Sequence, residues 1–211
     1  MVQRPGASCS NWKLAFPGLG DRLKFCSSCG SAQITSAIPE GDNRPRFVCA
    51  SCHEIFYHNP KIVAGCIAEW QDRILMCKRA IEPRYGKWTF PAGFMENEET
   101  VSEAAARETH EEATAKVEGL TLYSLYSLPH INQVYMVFRG VLVEGNASPG
   151  AESLEVALMN ENDVPWQEIA FPVIRESLEL YFEDKQKNSF PLHYGDMRRQ
   201  AGHDVEIIRY R

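Results

Sequence analysis

Glu108, Glu111 and Glu112 stand at spacings i, i+3 and i+4, which puts three carboxylates on one face of a helix. Like charges that close repel one another, unless something positive sits among them. Hard oxygen ligands of this kind suit Mg²⁺ or Mn²⁺. The plainer reading of Glu-x-x-Glu-Glu is a solvated acidic face, but the surrounding residues favour a metal. Arg107 precedes the first glutamate and has a planar fork able to clamp a carboxylate. Glu99, expected in the first turn near the positive end of the helix dipole, is a partner for it. Upstream, Gly86 to Glu96 read as a strand, a tight Pro/Gly turn and a loop entering the helix. Within it Gly93 tolerates backbone angles that other residues avoid and lets main chain approach a ligand.

A second constellation is built from thiols. Cys26 and Cys29, then Cys49 and Cys52, form two Cys-x-x-Cys pairs, the spacing of a four-cysteine zinc ribbon. A redox pair or two disulfides are the alternatives. No thioredoxin-like pattern accompanies the pairs, and Cys9, Cys66 and Cys77 remain over. Structural Zn²⁺ is the expectation. Cys66 and Cys77 lie in apolar strand patterns and read as core, while His53 and His58 read as surface or packing residues.

These sites need elements to hold them. Lys61 to Trp70 and Arg73 to Arg79 read as a hairpin about Gln71-Asp72. A helix is predicted over 98–113, with Ser102, Ala106, Thr109 and Ala113 as a stripe of small side chains for close packing on a sheet. Strands are predicted over 116–128, 132–143 and 154–159, a short strand at 46–48, and a second amphipathic helix over 170–184 with Ile174, Leu178 and Tyr181 inward. Strands mixed with two main helices indicate an α/β fold with a mixed sheet between helices. The expected order is a flexible tail at 1–23, a zinc ribbon at 24–58, a catalytic domain at 59–190 and a C-terminal tail at 191–211.

With 211 residues and a formal net charge of −6, the chain lacks the basic balance of a general nucleic-acid or membrane binder. It has no apolar run of transmembrane length and no hydrophobic leader pattern, so a cytoplasmic location is expected.

Residues 93–115 resemble the signature of the Nudix hydrolases, Gly-x5-Glu-x7-Arg-Glu-U-x-Glu-Glu-x-Gly-U with U aliphatic. The match holds at Gly93, Glu99, Arg107, Glu108, Glu111 and Glu112, and departs at Thr109, Thr114 and Ala115. The resemblance implies an α/β/α sandwich and attack of water on a pyrophosphate. Glu108, Glu111, Glu112 and main chain around Gly93 would hold Mg²⁺ or Mn²⁺, with Arg107 and Glu99 orienting them. Arg79 would contact phosphate, with a surface ion pair as the alternative. Glu152 or Glu155, after Pro149-Gly150 on a mobile loop, would supply the general base, with two surface acids as the alternative. Lys24 to about Tyr194 is similar to FAD and ADP-ribose pyrophosphatases, which implies a small ADP-containing dinucleotide substrate and, by analogy, a homodimer. A zinc ribbon ahead of such a domain also occurs in NADH pyrophosphatases, some acting on NAD-capped RNA. Their Ser-Gln-Pro-Trp-Pro-Phe-Pro-x-Ser element is absent here. A non-catalytic nucleotide-sensing regulator is the third reading.

Overall fold

The computed structural model describes residues 23–199 and 205–210; the expected flexible tail lies, through residue 22, outside them. The chain divides after Asn59 into two compact units. The first holds a three-stranded antiparallel sheet of β1 (Ile34–Ala37), β2 (Arg46–Cys49) and β3 (Ile55–Phe56), with β2 central. Cys26 and Cys49 are buried; Cys29 and Cys52 are exposed.

The second unit is built on one mixed sheet. Its strands are β4 (Lys61–Trp70), β5 (Arg73–Arg79), β6 (Trp88–Thr89), β7 (Ala92–Phe94), β8 (Val117–Leu128), β9 (Gln133–Leu142), β10 (Ser153–Met159), β11 (His193–Arg199) and β12 (Val205–Arg209). The order is β10-β5-β4-β9-β8-β11-β12, with β6 on β5 and β7 on β4. β4 runs parallel to β9, and β11 parallel to β8.

Side chains of β4 alternate between two cores, as a strand covered on both faces requires. Val63 and Ile67 pack in the core that contains Ile174, Leu178 and Tyr181 of α2 (Pro172–Lys187). Ala64, Cys66 and Ala68 pack in the core that contains Ala104, Ala105 and Ala113 of α1 (Val101–Ala113). This is the expected α/β/α sandwich, and Cys66 and Cys77 are core residues in it. Burial pushes the Cys66 thiol up to about 12. Among the described residues no helix is long and apolar enough to cross a membrane.

Four expectations change. Residues 92–94, read as turn and loop, form β7, with Gly93 opposite Ala64. The strand reading before them holds only as the short β6. Residues 191–211, read as a tail, carry β11 and β12; β11 pairs with β8 through His193↔Ser124 to Asp196↔Ser127 and buries Gly195 and Met197. Four residues in that register are too few to show a period without knowing the partner strand. Finally, α1 begins at Val101, so Glu99 precedes it. Thr100 is the N-cap, closing a capping box with Glu103, a Thr-x-x-Glu signal present in the sequence.

Candidate active site

The buried side of α1 holds Thr109 and Ala113 of the predicted stripe but not Ser102 and Ala106. Ala104, Ala105, Glu108, Thr109, Glu112 and Ala113 are buried, while Ser102 and Ala106 are only half-buried. Two of the three glutamates therefore share the sheet-facing side with alanines, and Glu111 is exposed. Small side chains let the helix approach β4 and β7 closely. Thr109, where an aliphatic residue is usual, satisfies its hydroxyl on the Ala105 carbonyl at 2.7 Å.

Gly93 meets the cluster from the sheet. A Cβ at this position would stand 2.3 Å from the Glu108 carboxylate. Its φ is not in the left-handed region, so close approach, and not backbone freedom, explains the glycine. Arg107 ties the loop to the helix. Its Nε and Nη2 donate to the two oxygens of Glu99 at 2.9 and 2.7 Å, and Nη2 also donates to the Phe94 carbonyl at 3.0 Å. Nη1 donates to Glu108 at 2.8 Å and Glu111 at 2.9 Å. Hydrogen bonds from Arg107 and from the Glu96 backbone hold Glu99 down to about 2.

Glu112 has no such clamp. It is 4% exposed, and its Oε2 has no hydrogen-bond partner. Burial, then the Glu108 charge, raises its pKa to about 8, against the pull of Arg79 and a backbone hydrogen bond from Ala92. Glu108 is raised as well, chiefly by burial. A buried carboxylate oxygen without a donor is costly, and a divalent cation is the ligand that would satisfy it beside a second carboxylate. The donor set therefore fits Mg²⁺ or Mn²⁺.

Glu108, Glu111, Glu112, Arg107 and Gly93 line one cavity of about 850 Å³, together with Arg79 and Glu152. Arg79 is buried, donates from Nε to the Pro83 carbonyl at 3.0 Å and lies over the Phe171 ring. Among the described residues it makes no ion pair within 4.0 Å, so the surface ion-pair reading falls. The backbone around Glu152 is tied to its neighbours by hydrogen bonds. The Ala80 N–H donates to the Glu152 carbonyl at 2.8 Å, and two residues earlier the Gly150 N–H donates to the Glu112 carbonyl at 2.9 Å. Gly150 sits so tightly on the end of α1 that a Cβ there would overlap the Glu111 carbonyl. Glu155 lies outside the cavity and faces Lys78 at 3.6 Å. The reading missed Tyr135, Phe171, Met197 and Val205, which also line the cavity. Only Pro172, at the first turn of α2, marked one of these places in the sequence.

In the first unit the Sγ atoms of Cys26, Cys29, Cys49 and Cys52 all lie within 4.8 Å of one another, the only such cluster of three or more ligand residues among the described residues. Hydrogen bonds from the Cys52 and Ser51 backbones bring Cys49 down to about 6, despite burial. Four thiols converging this way fit one tetrahedral Zn²⁺. His53 and His58 are exposed and outside the cluster.

The NUDIX domain model matches residues 59–180, and the Nudix N-terminal zinc-ribbon model matches residues 24–58. An NAD-capped RNA hydrolase NudC of Photobacterium profundum is 30% identical over 139 residues, 64% of this chain and 48% of that protein. An ADP-ribose pyrophosphatase of Methanocaldococcus jannaschii is 30% identical over 115 residues, 52% of this chain and 67% of that protein. The chain thus spans about half the length of that NudC relative. The crystal structure of a Nudix hydrolase from Nitrosomonas europaea is 53% identical, with a TM-score of 0.79 over 83% of this chain and 99% of that one. The signature glutamates, the fold that buries two of them and these matches agree: the chain belongs to the Nudix hydrolase family, with a zinc ribbon ahead of its Nudix domain.

Proposed function

We propose that the protein hydrolyses the pyrophosphate bond of an ADP-containing dinucleotide or nucleotide sugar, ADP-ribose or FAD, to AMP and a phosphorylated second product. The observation that carries the proposal is the unpartnered Oε2 of buried Glu112 beside Glu108, at the wall of a cavity large enough for a nucleotide. Glu108, Glu111, Glu112 and main chain at Gly93 would hold Mg²⁺ or Mn²⁺. When bound, the cation supplies charge neutralisation of the phosphates and a lowered pKa for the attacking water. Arg107 orients Glu108 and Glu111 through its fork. Arg79, whose charge acts on Glu112, offers its guanidinium to a phosphate oxygen in the same cavity. Glu152 accepts the proton of the water as its oxygen bonds to phosphorus and the bridging P–O bond breaks. The four cysteines hold Zn²⁺, which then has no open position for water and serves structure.

A second reading, cleavage of NADH or of NAD-capped RNA, is favoured by the NudC relative and the shared zinc ribbon. Against it, residues 128–136 read Leu-Pro-His-Ile-Asn-Gln-Val-Tyr-Met and lack the element noted above. The test is incubation with Mg²⁺ and ADP-ribose, FAD, NADH, NAD and NAD-capped RNA, with analysis for AMP and the capped-RNA product. AMP from ADP-ribose or FAD at the highest kcat/KM is expected. Faster cleavage of NADH or the capped RNA selects the second reading, and no product from any of them refutes both. The homodimer expected by analogy is checked by sedimentation of the same sample.

A further inference from the structure

We infer that the hairpin of β11 and β12 is the wall that selects the substrate's far end, with Val205, backed by the buried Met197, meeting a heteroaromatic ring of the dinucleotide; this rests on the function proposed above. The hairpin lies beyond residues 59–180 that the NUDIX model matches, yet it is part of the same sheet. The cavity is lined by Val63 of β4, Tyr135 of β9, Leu128 of β8, Met197 of β11 and Val205 of β12. These are successive strands, so the trough crosses four strand spacings, about 19 Å at about 4.8 Å each. The acidic cluster lies at the β4 end, where Gly93 of β7 pairs with Ala64. A pyrophosphate held there leaves most of the trough to whatever is attached to it.

The chemistry changes along that length. Carboxylates crowd the β4 end, while Leu128, Tyr135, Met197 and Val205 bring apolar side chains to the other end, with Phe171 at the start of α2 and with Arg199, the cross-strand neighbour of Val205, as its cation. Apolar side chains beside a guanidinium suit the flat face of a heteroaromatic ring.

The hairpin is also held in place. Glu176 of α2, 2% exposed, accepts from Arg209 of β12 at 2.6 and 2.9 Å and from the Tyr126 hydroxyl at 2.9 Å. Asp184, near the other end of α2, accepts from the Tyr123 hydroxyl at 2.8 Å and pairs with His193 Nε2 of β11 at 2.7 Å. Two buried carboxylates thus fasten both strands to the helix whose first residues line the same cavity. A wall fixed this way is preorganised, as a specificity surface must be.

The test is Val205→Trp in the full chain, which fills the hairpin end and leaves every charged residue in place. Kinetics with FAD, NADH and ADP-ribose are paired with direct binding of the same compounds and of inorganic pyrophosphate, which is too short to reach β12. A bulky misfit in a pocket shifts selectivity by about ten- to a hundredfold, so KM and Kd for FAD and NADH should rise about tenfold or more. The kcat and pyrophosphate binding should stay near wild type, the signature of lost ground-state binding. ADP-ribose identifies the ring: an equal rise places adenine at the hairpin, and no rise places the flavin or nicotinamide there. A folded Val205→Trp protein with wild-type KM and Kd throughout overturns the inference and leaves the proposed function standing. Wild-type protein that binds the dinucleotides without cleaving them refutes the proposed function, and the Kd values alone then decide the wall. Wild-type protein that binds none of them overturns both. Val205→Ala guards against misfolding of the tryptophan variant: removing the side chain that meets the ring should raise KM and Kd for FAD and NADH with pyrophosphate binding near wild type, and wild-type KM and Kd in a folded Val205→Ala protein count against the wall.

Discussion

Glu112→Gln separates the charge of the buried carboxylate from its shape. Glu112 in the folded chain titrates at about 8, against an ordinary 4.5. The folded state without Mg²⁺ or Mn²⁺ therefore keeps a proton that the unfolded chain releases. The resulting stability is fully present below pH 4.5 and is lost as pH rises toward 8. At about 1.4 kcal/mol per pH unit, the loss is about 3 kcal/mol by pH 7 and about 5 kcal/mol when complete. Glutamine does not ionise and escapes this loss, but its buried amide needs donors and acceptors that the site does not supply, costing about 1–3 kcal/mol. The expected fingerprint is a crossover. The variant is the less stable protein near pH 5 and the more stable one near pH 8. Urea unfolding of both proteins at pH 5, 6, 7 and 8, dialysed free of Mg²⁺ and Mn²⁺, measures it; the ribbon is common to both and cancels in the difference. Added Mn²⁺ should stabilise the wild type with release of a proton, its affinity rising about tenfold per pH unit up to about pH 8. The variant should respond weakly and lose turnover about a hundredfold or more. A stability difference that is flat between pH 5 and 8, or near-normal turnover at saturating Mg²⁺, would refute the role assigned to this carboxylate.

Three other outcomes follow from the geometry. Gly93→Ala puts a methyl 2.3 Å from the Glu108 carboxylate; Mn²⁺ affinity by titration should fall about tenfold or more with the circular dichroism spectrum unchanged, and retained affinity would show that the carboxylate has room to move. Thr114 closes α1 in the left-handed region at φ 49, where glycine is usual in the family signature; Thr114→Gly should raise stability by about 0.5–1 kcal/mol, the relief of a β-branched residue at positive φ less the extra chain entropy of glycine, and a loss in urea unfolding would contradict it. Metal analysis should find zinc in the wild type and none in Cys49→Ser, whose ribbon should unfold, since a module this small relies on its metal. Hydrolysis should persist in the fraction whose Nudix domain stays folded, and its complete loss in folded protein would assign the ribbon a part in the reaction.

The elements that were legible in the sequence are those written by neighbours along the chain. The hairpin 61–79 has its strand ends at Trp70 and Arg73 because apolar runs and a two-residue turn are local signals. The four cysteines converge as their spacing implied, since each Cys-x-x-Cys is one knuckle. α1 and α2 were found with their ends displaced by a few residues; at α1, Thr100 caps the helix and Glu99 precedes it.

What the linear pattern did not contain depends on partners far away in the chain. Spacing put Glu108, Glu111 and Glu112 on one face of α1, and nothing in spacing tells which of them turns toward a sheet. Docking on β4 and β7 buries Glu112 and leaves Glu111 exposed, so the two adjacent glutamates differ in solvation, and burial raises the pKa of Glu112. The backbone of Glu152 meets the end of β5 through the Ala80 N–H, and that of Gly150 meets the end of α1, contacts that no local pattern announces. The strands at 193–199 and 205–209 looked like a tail because each is short and carries charged residues, and only the neighbouring β8 and the buried carboxylates of α2 make them part of the sheet. Sequence alone thus determined which groups could do chemistry and on which local element each sits. The tertiary structure decided which of them lose water and which meet, because desolvation and close approach belong to the packed sheet and have no counterpart along the chain.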